Sequence, residues 1–203
     1  MSPMHSRIKL GHLHRPFKAG GNKGENDVQL CFQSAASRRR HCCCLHNRER
    51  GARLQRLHAI TPPKGLGTFD PVSIATGQAQ AIFERDPAAA AQVNALLVRT
   101  RQLAADCAAF AVTPMMNHGD LNASNLIGPV PMLVDWEYAQ LADPAYDLAC
   151  LSVYYPGLRL RGAELLATAG ITDANGAVRL RLHTQLFDSL NRLWEQAEAL
   201  RQA

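Results

Sequence analysis

The amino-acid sequence predicts an α+β fold that is mostly helical and carries one short β-hairpin. Apolar residues recur in several stretches at spacings of about three, four and seven, which is the pattern of amphipathic helices. Two short apolar runs, Leu126-Ile127 and Met132-Leu133-Val134, flank the turn-forming segment 128–131 and predict the hairpin. With 203 residues and a hydrophobic content of 47%, the chain is long and apolar enough to bury a core.

Two helices are predicted before the hairpin. Leu54, Leu57 and Ile60 can share one helical face, and Pro62-Pro63 then breaks the pattern. Asp86-Pro87 is typical of an N-cap followed by proline at the first helical position, where its missing N–H costs nothing. The helix that follows should end before Pro114, and its apolar stripe comprises Val93, Leu96, Leu97, Leu103, Cys107 and Phe110.

Two further helices are predicted after the hairpin. Asp143-Pro144 repeats the combination of cap and proline and begins a helix that continues through Leu148, Ala149, Leu151 and Val153. The last helix begins near Ala177, and its apolar stripe comprises Leu180, His183, Phe187, Leu190 and Trp194.

The sequence surroundings of the cysteines and tryptophans favour structural roles over functional ones. Cys107 and Cys150 fall within helical patterns and are predicted to be small buried residues outside any disulfide. Trp136 and Trp194 lie on apolar patterns and are predicted to be core residues. The cluster from His41 to His46 contains three adjacent cysteines, which cannot readily face one tetrahedral zinc ion.

Charge is unevenly divided along the chain. Residues 1–60 hold 12 Lys and Arg against 3 Asp and Glu, whereas the remainder holds 10 against 14. Residues 1–48 show no sustained hydrophobic period, so we expect a poorly ordered basic segment there and a globular lobe over 49–203. No apolar run is long enough to span a membrane, and no secretory signal is recognisable at the start. The expected location is therefore the cytoplasm, with no membrane partner.

The segment around the hairpin carries residues suited to phosphoryl transfer. Such transfer from ATP needs a carboxylate beside the acceptor hydroxyl and oxygen ligands for magnesium. Asp120 can supply the first, while Asn125 begins one hairpin strand and Asp135 follows the other. Closing the hairpin should bring Asn125 and Asp135 side by side. Because Asp120 and Asp135 would repel each other, we expect the site to require a cation.

The segments HGDLNASNLI (118–127) and LVDWEYAQLADPAYDLA (133–149) resemble the catalytic loop and metal site of aminoglycoside phosphotransferases and of choline, ethanolamine and thiamine kinases. The resemblance covers about 51–156 and implies a protein-kinase-like fold, of which this chain holds mainly the helical C-terminal lobe. It also implies ATP as phosphoryl donor and Mg²⁺ as cofactor. The roles it implies are catalysis for Asp120 and His118, metal binding for Asn125 and Asp135, and support of the site for Asp147 and Trp136.

The expected acceptor is a small cationic alcohol. Aromatic faces attract cationic head groups, and the acidic balance of the rear part of the chain suits a positive substrate. Glu137, Tyr138 and Tyr154 are the candidate substrate-binding residues. The run from Asp135 to Ala139 looks more like choline, ethanolamine or thiamine kinases than aminoglycoside phosphotransferases.

Members of this family also have an N-terminal lobe with a glycine-containing loop and a lysine that contact the phosphates of ATP. Gly20-Gly21-Asn22-Lys23-Gly24 is a candidate for that loop but has no clear strand on either side, and Lys9, Lys18 and Lys23 lie in no clear strand. We therefore expect residues 1–48 to be a remnant or replacement of that lobe, with a diverged lobe as the alternative. An inactive remnant or binding module is therefore an alternative to an active kinase. A basic nucleic-acid-binding protein is a second alternative, but the arginines accompany no recognised base-reading module, so no specific nucleic acid is expected.

Overall fold

A computed structural model describes residues 52–127, 132–159 and 161–203 of the chain. The predicted basic segment at 1–48, the candidate phosphate loop and the three adjacent cysteines lie outside the described residues, as does the hairpin connection at 128–131. Among the described residues, no helix is long and apolar enough to cross a membrane.

Helices dominate the described part of the chain, as predicted. In chain order they are α1 (52–58), α2 (Pro71–Phe83), α3 (Ala90–Ala108), α4 (Ala145–Tyr154), α5 (Pro156–Arg159), α6 (Gly162–Thr168) and α7 (Gly176–Gln202). Single turns of 3₁₀ helix at Pro87–Ala89 and Ala123–Asn125 precede α3 and the hairpin. The predicted helices after Asp86 and Asp143, and the one from about Ala177, are confirmed.

Two small antiparallel sheets lie between α3 and α4. Strand β2 (Leu126–Ile127) pairs with β3 (Met132–Leu133), with Leu126 opposite Leu133 and Ile127 opposite Met132, which confirms the predicted hairpin strands. Strand β1 (Met115–Asn117) pairs with β4 (Gln140–Ala142), and this second pair was not predicted from the sequence. The two sheets bracket the loop at 118–125, which carries the candidate catalytic residues.

Aspartates fix the starts of α2 and α3. The Asp70 carboxylate accepts hydrogen bonds from the N–H groups of Val72 and Ser73 at 3.1 and 3.0 Å, and that of Asp86 accepts one from Ala88 at 3.1 Å. Each aspartate precedes a proline at the first helical position. The predicted cap at Asp86 is thus confirmed, and the same signal at Asp70 begins α2, a helix that the sequence analysis missed.

The long helix α7 is the centre of packing, since α2, α3 and α4 all pack against it. One apolar cluster lies between α2, α3 and α7 and includes Ile82, Val93 and Leu193. A second cluster joins α1, α4, α6 and α7 and includes Leu54, Leu57 and Leu148. Burial of this much aliphatic surface is the main force that holds the lobe together. The predicted burial of Cys107 and Cys150 is confirmed.

The predicted helical position of Ile60 and the predicted core positions of Trp136 and Trp194 were wrong. Ile60 is 51% exposed because α1 ends at 58, before that residue can join Leu54 and Leu57 in the core. Trp136 is 41% exposed since it follows the hairpin and lies outside both apolar clusters. Trp194 was predicted to be buried but is only half-buried. The residue before it, Leu193, is fully buried instead.

A buried charge network ties α4 to α7. The Asp143 carboxylate accepts from the Ala145 N–H at 2.8 Å, and its other oxygen lies 3.1 Å from Arg179 Nε and 3.4 Å from His183 Nε2. The Arg179 contact is an ion pair and not a well-aligned hydrogen bond. Burial alone would raise the pKa of Asp143, but the close approach of His183, the hydrogen bond from the Ala145 N–H and the charges of His183 and Arg179 hold it below its usual range.

We expect Asp143→Asn to lower the free energy of unfolding by about 2–3 kcal/mol at pH 7, because Arg179 loses a buried charge partner while it keeps Asp173. The native pKa of Asp143 is depressed, so its stabilisation is fully present above the unfolded-state pKa of about 3.9 and is lost as the pH falls through the native pKa. Urea unfolding of wild type and variant between pH 7 and pH 3 should therefore show the difference shrink below about pH 4.

The matched control is Asp188→Asn, which breaks an exposed ion pair with Arg192 on the same helix. It should change the free energy of unfolding by less than about 1 kcal/mol at any pH. An equal effect of the two substitutions at pH 7 would contradict a stabilising role for the Asp143 network.

Candidate active site

One buried carboxylate, that of Asp147, anchors the loop that follows β1. Asp147, in the first turn of α4, accepts hydrogen bonds from the backbone N–H groups of His118 at 3.1 Å and Gly119 at 2.9 Å. The Asp147 side chain is fully buried, so these donors replace the water that the charge would otherwise need. Both ends of the carboxylate are thereby used to position the backbone of the loop.

Two side chains that sequence reasoning missed complete this anchor. His58, on α1, donates from Nε2 to Asp147 at 3.1 Å. Asn117 donates to the carbonyls of Met115 and Ala142 at 3.0 and 3.1 Å, and its own oxygen accepts from the Asp147 N–H at 3.3 Å. Both residues are buried. The apolar neighbours of His58 gave no signal of this role, since its partner lies 89 residues away.

Asp120 is held on both carboxylate oxygens. Its Oδ2 accepts from the side-chain amides of Asn122 and Asn125, each at 2.9 Å, and its Oδ1 accepts from the Tyr154 hydroxyl at 3.1 Å. Asn122 also caps the 3₁₀ turn by accepting from the Ser124 and Asn125 N–H groups. The side chain of Asp120 is therefore fixed by three donors while 8% of the residue stays exposed.

His118 links the loop to the hairpin. Its Nε2 donates to the Val134 carbonyl at 2.9 Å, so Nδ1 is the acceptor, and it faces the Asp120 N–H at 3.4 Å. The Trp136 ring lies over the His118 ring with centroids 4.7 Å apart. His118 is fully buried, and its contact with the Asp120 N–H acts on the position of the backbone around Asp120.

The candidate metal residues flank the strands of the hairpin. The Val134 N–H donates to the Asn125 carbonyl at 3.2 Å, so Asp135 directly follows the residue that pairs with Asn125. Asp135 adopts a left-handed backbone conformation, with φ of 64°, and its side chain is exposed. Because the Asn125 amide nitrogen is directed to Asp120, its oxygen faces away from that carboxylate. One carboxylate and one amide oxygen fit Mg²⁺, which takes few protein ligands and completes its shell with water and phosphate oxygens.

The candidate substrate residues are distributed around this centre. Tyr154 reaches Asp120 directly, whereas Glu137 is exposed and its charge acts on the half-buried Tyr138. Burial raises the pKa of the Tyr138 hydroxyl, and the charge of Glu137 raises it further. Tyr138 therefore remains a neutral hydrogen-bond donor at physiological pH.

A family comparison agrees with this geometry. The model of the phosphotransferase enzyme family, APH, matches residues 48–183, which is more than half of the chain. The chain belongs to this family. The match extends beyond the 51–156 expected from the motifs and includes α6 and the first part of α7.

Solved structures share the fold at low identity. The choline kinase LicA from Streptococcus pneumoniae superposes with a TM-score of 0.64 at 20% identity, covering 78% of this chain and 57% of that one. A choline/ethanolamine kinase family protein from Mesorhizobium loti gives 0.63 at 19% identity, with coverage of 77% and 55%. The Plasmodium vivax ethanolamine kinase gives 0.62 at 16% identity, with coverage of 77% and 55%.

These likenesses establish the protein-kinase-like α+β fold that the sequence predicted. The chain spans a little more than half the length of each of the three structures. A comparison with the curated proteins gave no significant match.

Substitution of Gly119 tests how closely the candidate catalytic loop packs against Tyr138. Its φ is +82°, and a Cβ there would lie 2.5 Å from the Tyr138 carbonyl oxygen. We expect Gly119→Ala to destabilise the lobe by about 2–4 kcal/mol, because both the backbone strain and the clash must be relieved. Thermal or urea unfolding measures this loss.

Gly77→Ala is the matched control, since Gly77 lies within α2 and an added Cβ there meets no atom within 4 Å. It should stabilise the protein by about 0.5–1 kcal/mol through helix propensity. Equal and small effects at the two glycines would show that the loop is not held against Tyr138 as described.

Proposed function

We propose that this protein transfers the γ-phosphoryl group of ATP to a hydroxyl of a small cationic alcohol. The observation that carries the proposal is the arrangement around Asp120: a carboxylate held by three donors and left partly open, beside the Asn125 and Asp135 pair. Membership of the phosphotransferase enzyme family supports the same reaction class.

Asp120 would orient the acceptor. Its carboxylate accepts the hydrogen bond of the incoming hydroxyl and takes the proton as the acceptor oxygen bonds to the γ-phosphorus and the bond to the ADP oxygen breaks. Positioning contributes more to such a reaction than base strength, which explains why so many hydrogen bonds fix one carboxylate. His118 and Asp147 act by holding the loop backbone that carries Asp120.

Asn125 and Asp135 would hold the Mg²⁺ ion. A cation held there would supply positive charge that offsets the negative charge of the phosphates as the phosphoryl group is transferred. The exposed Asp135 carboxylate is available for this role. The charges of Asp120 and Asp135 both act on the Tyr138 hydroxyl, so a cation in this region would offset the negative charge of the two carboxylates.

The surroundings of the site favour a cationic acceptor. The exposed Glu137 carboxylate lies beside Tyr138, and Trp136 presents 41% of its surface to solvent. An acidic group flanked by aromatic faces suits a quaternary or primary ammonium group. The structural likeness to choline and ethanolamine kinases favours acceptors of choline, ethanolamine or thiamine type over an aminoglycoside.

Nucleotide binding is supported by features next to the hairpin. Ile127 and Met132 form an exposed cross-strand pair, 50% and 57% exposed, close to Asn125. Exposed apolar side chains beside a phosphate site can contact a nucleobase. The S. pneumoniae choline kinase LicA has also been solved in complex with AMP, at 21% identity and a TM-score of 0.60.

A thermal-shift titration with ATP and Mg²⁺ tests nucleotide binding. Ligand at about 100 times its Kd stabilises the native state by about 2.7 kcal/mol, which corresponds to a Tm rise of roughly 5–10 °C. Asp135→Asn should abolish most of that rise, and asparagine tolerates the left-handed backbone that alanine would strain. Asp106→Asn removes a carboxylate on α3, outside the candidate site, and should shift as wild type does.

If wild type melts cooperatively and does not shift, the active-kinase proposal is wrong and the chain is a remnant or binding module. Retention on heparin that depends on residues 1–48 and ignores nucleotide would instead support the nucleic-acid-binding alternative.

Turnover assays test the acceptor. Choline, ethanolamine, thiamine and an aminoglycoside are each incubated with ATP and Mg²⁺, and ADP release and phosphorylated product are measured. We expect Asp120→Asn to lower kcat by about 100-fold or more with the productive acceptor, because the shape is kept and the proton acceptor is lost. ADP release without a phosphorylated product would contradict the acceptor class while leaving nucleotide binding intact.

A further inference from the structure

Helix α4 contacts the catalytic loop at two points, one near each end. Asp147 lies in its first turn and Tyr154 is its last residue, so the two are about two turns apart and on the same face of the helix. Asp147 holds the loop backbone at His118 and Gly119, and Tyr154 reaches the side chain of Asp120. A single rigid element therefore controls both where the loop lies and how its carboxylate is turned.

The hydrogen bonds to Asp120 differ between its two oxygens. Oδ2 accepts from Asn122 and Asn125, which belong to the same loop and can move with it. Oδ1 accepts from Tyr154, whose position is set by α4 and not by the loop. The Tyr154 contact thus fixes the rotation of the carboxylate relative to the rest of the lobe.

Tyr154 is itself held in place. Its ring packs edge-on against Phe187 of α7 with centroids 5.5 Å apart, and the side chain is half-buried. Burial raises the pKa of its hydroxyl, and the neighbouring Asp120 carboxylate raises it further. The hydroxyl therefore stays protonated, and against a carboxylate it is the donor of the hydrogen bond.

We propose that Tyr154 is a positioning residue for phosphoryl transfer, which turns the Asp120 carboxylate so that Oδ1 meets the acceptor hydroxyl. The inference rests on the proposed function, since it assigns Tyr154 a role in that reaction. It also changes the expectation for this residue: Tyr154 acts through Asp120 and not by binding the cationic group of the substrate.

Tyr154→Phe is the decisive variant because it keeps the ring against Phe187 and removes the hydroxyl alone. We expect kcat to fall about tenfold, the effect of losing one hydrogen bond to a charged group, with KM for the acceptor and for ATP changed less than about twofold. The Tm should stay within about 3 °C of wild type. Thr76→Val removes an exposed hydroxyl of α2, which donates to the Val72 carbonyl of the same helix, and should leave kcat and KM unchanged.

A second measurement does not depend on turnover. The side-chain amide signals of Asn122 and Asn125 report on Asp120 because both amides donate to it. In ¹H–¹⁵N NMR spectra, Tyr154→Phe should shift these signals and Thr76→Val should not.

The outcomes separate the two proposals. If wild type turns over and Tyr154→Phe matches it, the positioning role is wrong and the phosphotransferase proposal stands. A rise in KM for the acceptor at constant kcat also overturns the positioning role, since it assigns Tyr154 to substrate binding. A variant that fails to fold makes the hydroxyl structural and overturns it too. If wild type turns over no acceptor, the phosphotransferase proposal fails, and unshifted amide signals would then refute the contact with Asp120 independently.

Discussion

The fully buried Asp147 carboxylate is the interaction on which the rest of the site depends. A carboxylate in an apolar interior is costly unless hydrogen bonds replace its water, and here the backbone of the loop supplies them through His118 and Gly119. His58 adds a side-chain donor from α1. The loop cannot leave this position without stranding a buried charge. The need to solvate Asp147 is thus what makes the loop rigid.

Helix α7 supplies the frame that keeps this anchor in place. Asp143 begins the turn into α4 and lies against Arg179 and His183 of α7, so the start of the helix that carries Asp147 is fixed by charge as well as by packing. His183 also lies against Cys107 Sγ of α3 at 3.7 Å. Burial raises the pKa of that thiol to about 11, and nearby carboxylates add to the rise, so Cys107 is a packed neutral group and no nucleophile.

Short sequence patterns predicted the elements whose structure depends on residues close together in the chain. The capped start at Asp86, the helix that follows Asp143 and the hairpin strands follow from short patterns, and family motifs pointed to Asp120. The predicted cap at Asp143 was wrong, since Pro144 is the N-cap and α4 begins at Ala145. The pairing of His58 with Asp147 joins residues far apart in sequence, and no periodicity encodes it. The exposure of Trp136 was not predicted either, because an apolar pattern does not specify which apolar cluster, if any, a residue will join.

Three aspartates of the site differ in burial, and this difference determines what each carboxylate can do. Asp147 is fully buried and its oxygens accept hydrogen bonds that hold the loop, so binding a ligand at Asp147 would break those hydrogen bonds. Asp135 is exposed and has a left-handed backbone conformation, which aspartate adopts more readily than most residues, and its charge is available to a cation. Asp120 lies between these extremes, oriented by the protein yet still open at its edge. A carboxylate must be in that intermediate state to direct a substrate hydroxyl, because full burial excludes the substrate and full exposure leaves the direction of the carboxylate to chance.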